Sequence, residues 1–175
     1  MLCVIAKLDD AVTNKLDEIR KAAFPDGRAF RPLHGHITIA TYTGEEEAGF
    51  IQFCRKLLNG VSAFSVEYRA LEVLEATSII IATPEKSGVL ESLHQSIAER
   101  YENDLDKWTR TELWYPHTTL LYDPQTDLHA ICRQMSERFA PFSADIRRIE
   151  FSRVLETGYE IIDHVDLLNG ARPLA

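Results

Sequence analysis

Shifted by 78 residues, this sequence meets itself. Cys54 and Arg55 fall on Cys132 and Arg133, Phe64 and Ser65 on Phe142 and Ser143, Arg69 on Arg147, and Glu72 on Glu150. Those are six identities in the 19 positions from 54 to 72, with Glu67 on Asp145 as a near match. A period near 80 is too long for a solenoid, whose repeats run to about 50 residues at most. It describes one supersecondary unit used twice, and so predicts a single domain over residues 1–175 built from two pseudo-equivalent lobes. At 175 residues and 45% hydrophobic, the chain has material for one ample core.

Two tetrads stand at matching places in the halves: His36-Ile37-Thr38-Ile39 and His117-Thr118-Thr119-Leu120. Their offset is 81 (117 − 36), so the first half carries three extra residues before its Cys-Arg pair. The segment Thr43-Gly44-Glu45-Glu46-Glu47 is the natural place for them, because loops absorb insertions most easily. In a strand, side chains alternate faces, so His and Thr at i and i+2 point the same way while the apolar residues point to the core. Each tetrad therefore presents one imidazole and one hydroxyl on one face. Two such strands across a cleft supply a base, an acid and two hydrogen-bond donors. Cleavage of a phosphodiester without a metal requires that set. A lone Thr on a strand reflects β-propensity. Beside a same-face His in both halves, Thr38 and Thr119 are assigned to the phosphate oxygens.

The apolar periodicity predicts strands over 2–8, 33–42, 64–74, 78–82, 113–122, 142–155 and 159–167, and helices over 9–24, 46–59, 86–101 and 126–138. That order predicts an α+β fold with two mainly antiparallel sheets lining a central groove and helices outside. Residues 172–175 read as a frayed tail. His34 lies two residues before His36 and shares its face, and its counterpart is Tyr115 (34 + 81). Both are candidates to line the cleft mouth and contact a base or ribose. Tyr42 shares the parity of His36 and is placed in the cleft, whereas Tyr122 has the wrong parity for His117. Arg31, with Arg28, precedes the first tetrad, and Arg110, with Lys107, precedes the second, making them candidates for positive charge at the rim. Trp114 has core parity. His94 and His129 fall on helices and read as packing or surface residues.

The net charge is −8. An acidic chain is poorly suited to long duplexes, whose affinity comes from many phosphate contacts, and better suited to a small phosphorylated ligand or an RNA end. Three widely spaced cysteines with no Cys-x-x-Cys fit reduced thiols and a cytoplasmic location, and Cys54 and Cys132 read as core filler on helix faces. No apolar run approaches the roughly 18 residues of a membrane span. No cluster has metal-ligand spacing, and no Gly-rich phosphate loop is present in the sequence, so neither metal nor cofactor is expected.

The paired His-x-Thr-apolar tetrads, about 80 residues apart in a duplicated chain, resemble the 2H phosphoesterase superfamily. That group includes 2′-5′ RNA ligase-like proteins and cyclic nucleotide phosphodiesterases. The resemblance implies a bilobal fold with both tetrads in a central groove, and metal-independent action on 2′,3′-cyclic phosphates of nucleotides or RNA ends. It carries catalytic roles to His36, Thr38, His117 and Thr119 only; a monomer is the expected state of the chain. Ligase-like members commonly have a basic residue soon after the second tetrad. Here Leu121-Tyr122-Asp123-Pro124 follows, which favours a small-substrate esterase. A nucleotide-binding module with little turnover, and RNA-ligase-type activity, are the alternatives.

Overall fold

A computed structural model describes residues 1–24, 26–74, 77–85, 87–156 and 158–169. The tail expected at 172–175 lies outside the described residues, as do Pro25, Lys86 and Thr157 at expected element ends. The strands are β1 (Leu2–Leu8), β2 (His36–Tyr42), β3 (Phe64–Val73), β4 (Ile79–Pro84), β5 (Thr118–Tyr122), β6 (Phe142–Leu155) and β7 (Gly158–Asp166). Helices α1 (Asp10–Ala22), α2 (Glu47–Leu58), α3 (Gly88–Tyr101) and α4 (Leu128–Ser136) alternate with them. Local chemistry sets several of these ends. Asp9 Oδ1 accepts from Val12 N at the start of α1, and Asp127 Oδ1 from Ala130 N at the start of α4. After α2, Gly60 takes a φ of 88°, which a side chain disfavours.

The fold is α+β, as expected, and its pairing is antiparallel throughout the strand ladders. The strands join into one seven-stranded sheet in the order β2-β1-β6-β3-β4-β5, with β7 on β6, rather than the two separate sheets anticipated. The 14-residue β6 is the reason. Its first part pairs with β3 from Phe142 to Ile146, and its later part pairs with β7, while β1 runs along its other edge.

The sequence repeat has counterparts in the register. The β3–β6 ladder runs Phe64↔Ile146, Val66↔Ala144, Tyr68↔Phe142. It maps onto itself under the 78-residue offset (142 − 64, 146 − 68), with Val66↔Ala144 at its centre. Arg69 is the extra residue where β3 meets β4, and Arg147 where β6 meets β1, again 78 apart. These coincidences are consistent with a unit used twice.

The helices pack on one face of the sheet. Leu2, Val4, Ala6 and Leu8 of β1 join Leu16 and Ile19 of α1, Phe50 and Cys54 of α2, Leu93 and Ile97 of α3, and Cys132 and Met135 of α4 in one core. Cys54 and Cys132 are thus core filler, as read. The opposite face carries the alternate residues. Ile5 and Ile81 lie there, buried but apart from that core, and each is the cross-strand partner of a tetrad threonine: Ile5↔Thr38 and Ile81↔Thr119. They form the floor beneath the site.

Candidate active site

The two ends of the sheet path are β2 and β5, the strands that carry the tetrads. The ends come back together. Thr118 Oγ1 donates to the carbonyl of His36 at 2.9 Å, and Trp114 Nε1 donates to the carbonyl of Thr38 at 3.0 Å. Tyr68, buried beneath, hydrogen-bonds the Thr118 hydroxyl at 2.7 Å. Thr118, between the His and the outward-facing Thr of the second tetrad, is therefore a clasp between the halves. Arg20 of α1 adds another tie, reaching the carbonyls of Leu120 and Arg31.

Both imidazoles are held the same way. His36 Nδ1 donates to the carbonyl of His34 at 2.6 Å, and His117 Nδ1 to the carbonyl of Tyr115 at 2.6 Å. A carbonyl only accepts, so Nδ1 carries the hydrogen in each ring and Nε2 is left for chemistry. These bonds explain why the strands begin later than the apolar pattern predicts, at His36 and Thr118 instead of 33 and 113. The carbonyls two residues before each His turn to the ring and leave the ladder. Gly35 and Pro116 occupy the intervening positions. A Cβ at Gly35 would press on Thr13 Oγ1, so a side chain in the first of these turns would force its neighbours to shift.

Thr38 shares a cavity wall with His117, Thr119 is exposed on β5, and among the described residues neither hydroxyl has a protein partner. Burial pushes His36 down to about 4, and the positive charges of His34, His117 and Lys7 act in the same direction against the His34 carbonyl. Lys7 is the cross-strand partner of His36 on β1. Burial also lowers His117, opposed by the Tyr115 carbonyl and by the charge of Glu72. An uncharged His36 is suited to take a proton at mildly acidic or neutral pH.

Two cavities open beside the second tetrad. One, about 370 Å³, is walled by Thr38, Thr41, Trp108, Trp114 and His117 with Tyr115. The other, about 560 Å³, lies between Leu113, Tyr115, His117, Tyr122 and Trp108. Trp108, Tyr115 and Tyr122 are exposed aromatics, ready to meet a flat ring.

The structure corrects several expectations. Tyr42 is not a cleft residue: it is buried and stacked on Phe50 at 4.3 Å. The reason is a bulge. Val4 pairs with Ala40 and Ile5 with Thr38, so Ile39 is extra and parity reverses after it. The second tetrad has the same device at Leu120, since Ile80 pairs with Leu121 and Ile81 with Thr119. Tyr122 consequently emerges on the groove side, opposite to the parity argument. Neither cavity has Arg31 or Arg110 in its wall. Arg110 Nε holds the carbonyl of Leu105, and the Arg31 carbonyl receives Arg20. Arg28 is drawn to Asp123 at 2.5 Å, and Lys107 lies over the Trp108 ring. His34 sits at the site, but its ring is engaged with Glu150 Oε2 at 2.9 Å. Tyr115 is at the site and bonds Glu72. Trp114 packs inward, as expected, stacked on the buried His94. Lys7, Glu72, Glu150 and Tyr122 were not assigned to the site by sequence reasoning. Only the repeat, which pairs Glu72 with Glu150, carried a signal for any of them.

Comparison with known proteins agrees with this arrangement. A model of the 2′-5′ RNA ligase superfamily matches residues 8–158. No curated protein matches the chain by sequence. Among solved structures, a crystal structure described as a phosphoesterase is 16% identical with a TM-score of 0.66, covering 96% of this chain and 98% of that one. LigT of E. coli in apo form is 17% identical at 0.66, covering 96% and 97%. TT0787 of Thermus thermophilus is 17% identical at 0.66, covering 96% and 98%. LigT has also been solved with ATP, with phosphate and with 3′-AMP. Fold and paired His-x-Thr strands together define a two-histidine phosphoesterase architecture. The chain belongs to the 2′-5′ RNA ligase superfamily, within the 2H phosphoesterases.

Proposed function

We propose that this protein is a metal-independent phosphoesterase that opens 2′,3′-cyclic phosphates of nucleotides or RNA ends. The observation that carries the reading is the matched pair of imidazoles. Each is fixed through Nδ1 to a carbonyl two residues upstream, so each Nε2 is left for proton transfer. One takes a proton from water as the oxygen attacks phosphorus. The other gives a proton to the ribose oxygen whose bond to phosphorus breaks, leaving a monophosphate. Thr38 and Thr119, with no protein partner among the described residues, donate to the non-bridging oxygens as charge builds there. The Trp108–Tyr115–Tyr122 surface beside His117 takes the base. A small ligand or an RNA terminus suits the two cavities and the net charge of −8, and a long duplex does not. We further read the protein as a cytoplasmic monomer.

The test is incubation with a panel of nucleoside 2′,3′-cyclic phosphates and cyclic-phosphate-ended oligonucleotides, with and without EDTA, with products identified by chromatography. Turnover unaffected by EDTA, to one monophosphate isomer, is expected, with the 2′-phosphate favoured on family resemblance. Turnover lost on chelation and restored by Zn²⁺ or Mn²⁺, or a mixture of isomers, contradicts the reading.

A further inference from the structure

A further cavity, of about 610 Å³, lies between α3 and the segment that leads into the second tetrad. It shares Trp114 with the 370 Å³ cavity of the active site. Its wall holds Glu91, Glu99, Glu102 and Glu112, and among the described residues no Lys or Arg. Glu91, Gln95 and Glu99 recur every fourth residue along α3, and Glu102 follows three residues on. Successive side chains on such a stripe stand about 5–6 Å apart. Glu99 accepts from Gln95 Nε2 at 2.9 Å, and Glu102 accepts from the Thr111 backbone N at 3.1 Å and hydroxyl at 3.0 Å. Among the described residues no cation pairs with any of the four. The nearby arginines are engaged elsewhere: Arg100 lies over Phe53 and Tyr101, and Arg110 holds the carbonyl of Leu105. This charge costs the fold stability. Glu99 and Glu102 stand at the negative end of the α3 dipole and repel each other at a spacing of three residues.

His94 gives an independent sign of a ligand. The residue is 4% exposed and forms part of the cavity wall. Its Nδ1 donates to the carbonyl of Ile39 at 2.9 Å, so Nε2 carries a lone pair on the far side of the ring. Burial holds the imidazole below its ordinary value, against the nearby charge of Glu102, and keeps that lone pair free at neutral pH. Among the described residues nothing donates to Nε2. A buried acceptor left without a donor is costly. Lone pair and carboxylates lack the same thing, a cation that carries N–H groups. Among the described residues no three His, Cys, Asp or Glu converge to hold a metal ion. An ammonium donates three N–H bonds and can reach an imidazole and carboxylates together. The volume falls within the roughly 300–1,000 Å³ of small-molecule sites, which favours a small ligand over a protein surface.

We propose that this cavity binds a linear aliphatic polyamine. One ammonium sits between His94 Nε2 and Glu102, further ammoniums meet Glu99, Glu91 and Glu112, and the methylenes lie against Trp114 and Ala98. The site lies outside the two-histidine groove and needs no phosphoesterase turnover. Its rings nonetheless hold the backbone of the first tetrad. His94 bonds the Ile39 carbonyl, and Trp114, stacked on His94 at 3.9 Å, bonds the Thr38 carbonyl at 3.0 Å.

The experiment is calorimetry of the full chain with spermidine, oligolysine, Mg²⁺ and Zn²⁺ at about 0.15 M salt, where exposed charges are screened beyond roughly 8 Å. NMR of the His94 ring nitrogens and the Trp114 indole N–H accompanies it. Spermidine should bind at a single site and shift both His94 Nε2 and the indole signal, with His94 Nδ1 remaining protonated. Glu91→Gln combined with Glu112→Gln should weaken spermidine about tenfold. Glu18→Gln combined with Glu160→Gln removes the same charge from exposed positions on α1 and β7, and should leave binding unchanged. No saturable binding, or an unmoved His94 Nε2, overturns the proposal. Equal weakening in the two double variants also overturns it, because it reduces the effect to attraction by the net charge of −8. So does Mg²⁺ or Zn²⁺ shifting His94 Nε2 where spermidine does not, which makes the site a metal site. Oligolysine binding where spermidine does not marks a basic protein partner and overturns it as well.

Discussion

The environment of His36 makes a stability prediction that needs no substrate. Burial disfavours the imidazolium form in the fold, so the group binds its proton near pH 4 when folded and near its ordinary 6.5 when unfolded. Between those values the unfolded chain holds more protons, and stability must fall as pH falls. Above 6.5 both states are neutral and nothing is lost. The full gap of two and a half units corresponds to about 3 kcal/mol at 1.36 kcal/mol per unit, of which about 2 kcal/mol has been lost by pH 5. The assay is urea unfolding at pH 8 and pH 5 for wild type and His36→Gln, which does not titrate. Contributions from other groups, such as the buried His94, are common to both proteins and largely cancel in the difference. Wild type should lose about 2 kcal/mol more than the variant over that interval. Parallel stability–pH curves would show that His36 is not held uncharged by the fold, and the argument for it as a base would lose its physical ground.

The same burial places the pH dependence of catalysis. With His36 near 4 and His117 also lowered, the kcat/KM profile of the free protein should be a bell on the acid side of neutrality; a profile rising steadily with pH would indicate simple hydroxide attack. Thr38→Val and Thr119→Val should each lower kcat by about one to three orders of magnitude with the fold intact, through lost transition-state hydrogen bonds; unchanged kcat on either would remove that Thr from the site. Tyr122→Ala should raise KM and leave the unfolding midpoint near wild type, whereas Tyr42→Ala should destabilise by about 3 kcal/mol or more, judged by urea unfolding. The reverse pattern would return Tyr42 to the groove.

Much of this architecture was legible because the chain states it twice. The tetrads, the 78-residue repeat and the apolar periods located the strands, the helices and the two strands that carry the His-x-Thr pairs. Period-2 reasoning failed where the backbone inserts a residue. The bulges at Ile39 and Leu120 lie inside apolar runs, Ile39-Ala40 and Leu120-Leu121, where two adjacent core-facing residues look like ordinary strand sequence. They exchange the fates of Tyr42 and Tyr122. Glu72 and Glu150 stood out as repeat identities, but Glu150 meets a ring 116 positions earlier and Glu72 one 43 positions later, contacts that only the folded sheet reveals. The rim arginines failed for an electrostatic reason. Arg28 and Arg110 each have a nearby acceptor, in Asp123 and the Leu105 carbonyl, and composition gives no sign of that competition.

The central claim is that two histidines act together on one phosphate without a metal. The most direct measurement is single-turnover opening of a nucleoside 2′,3′-cyclic phosphate in EDTA by wild type, His36→Ala, His117→Ala and the double variant. Each single change should cost about 10²–10⁴ in rate, and the double should be scarcely slower than the worse single, because the pair works as a unit. Full activity in either single variant, or losses that simply multiply in the double, would contradict the account.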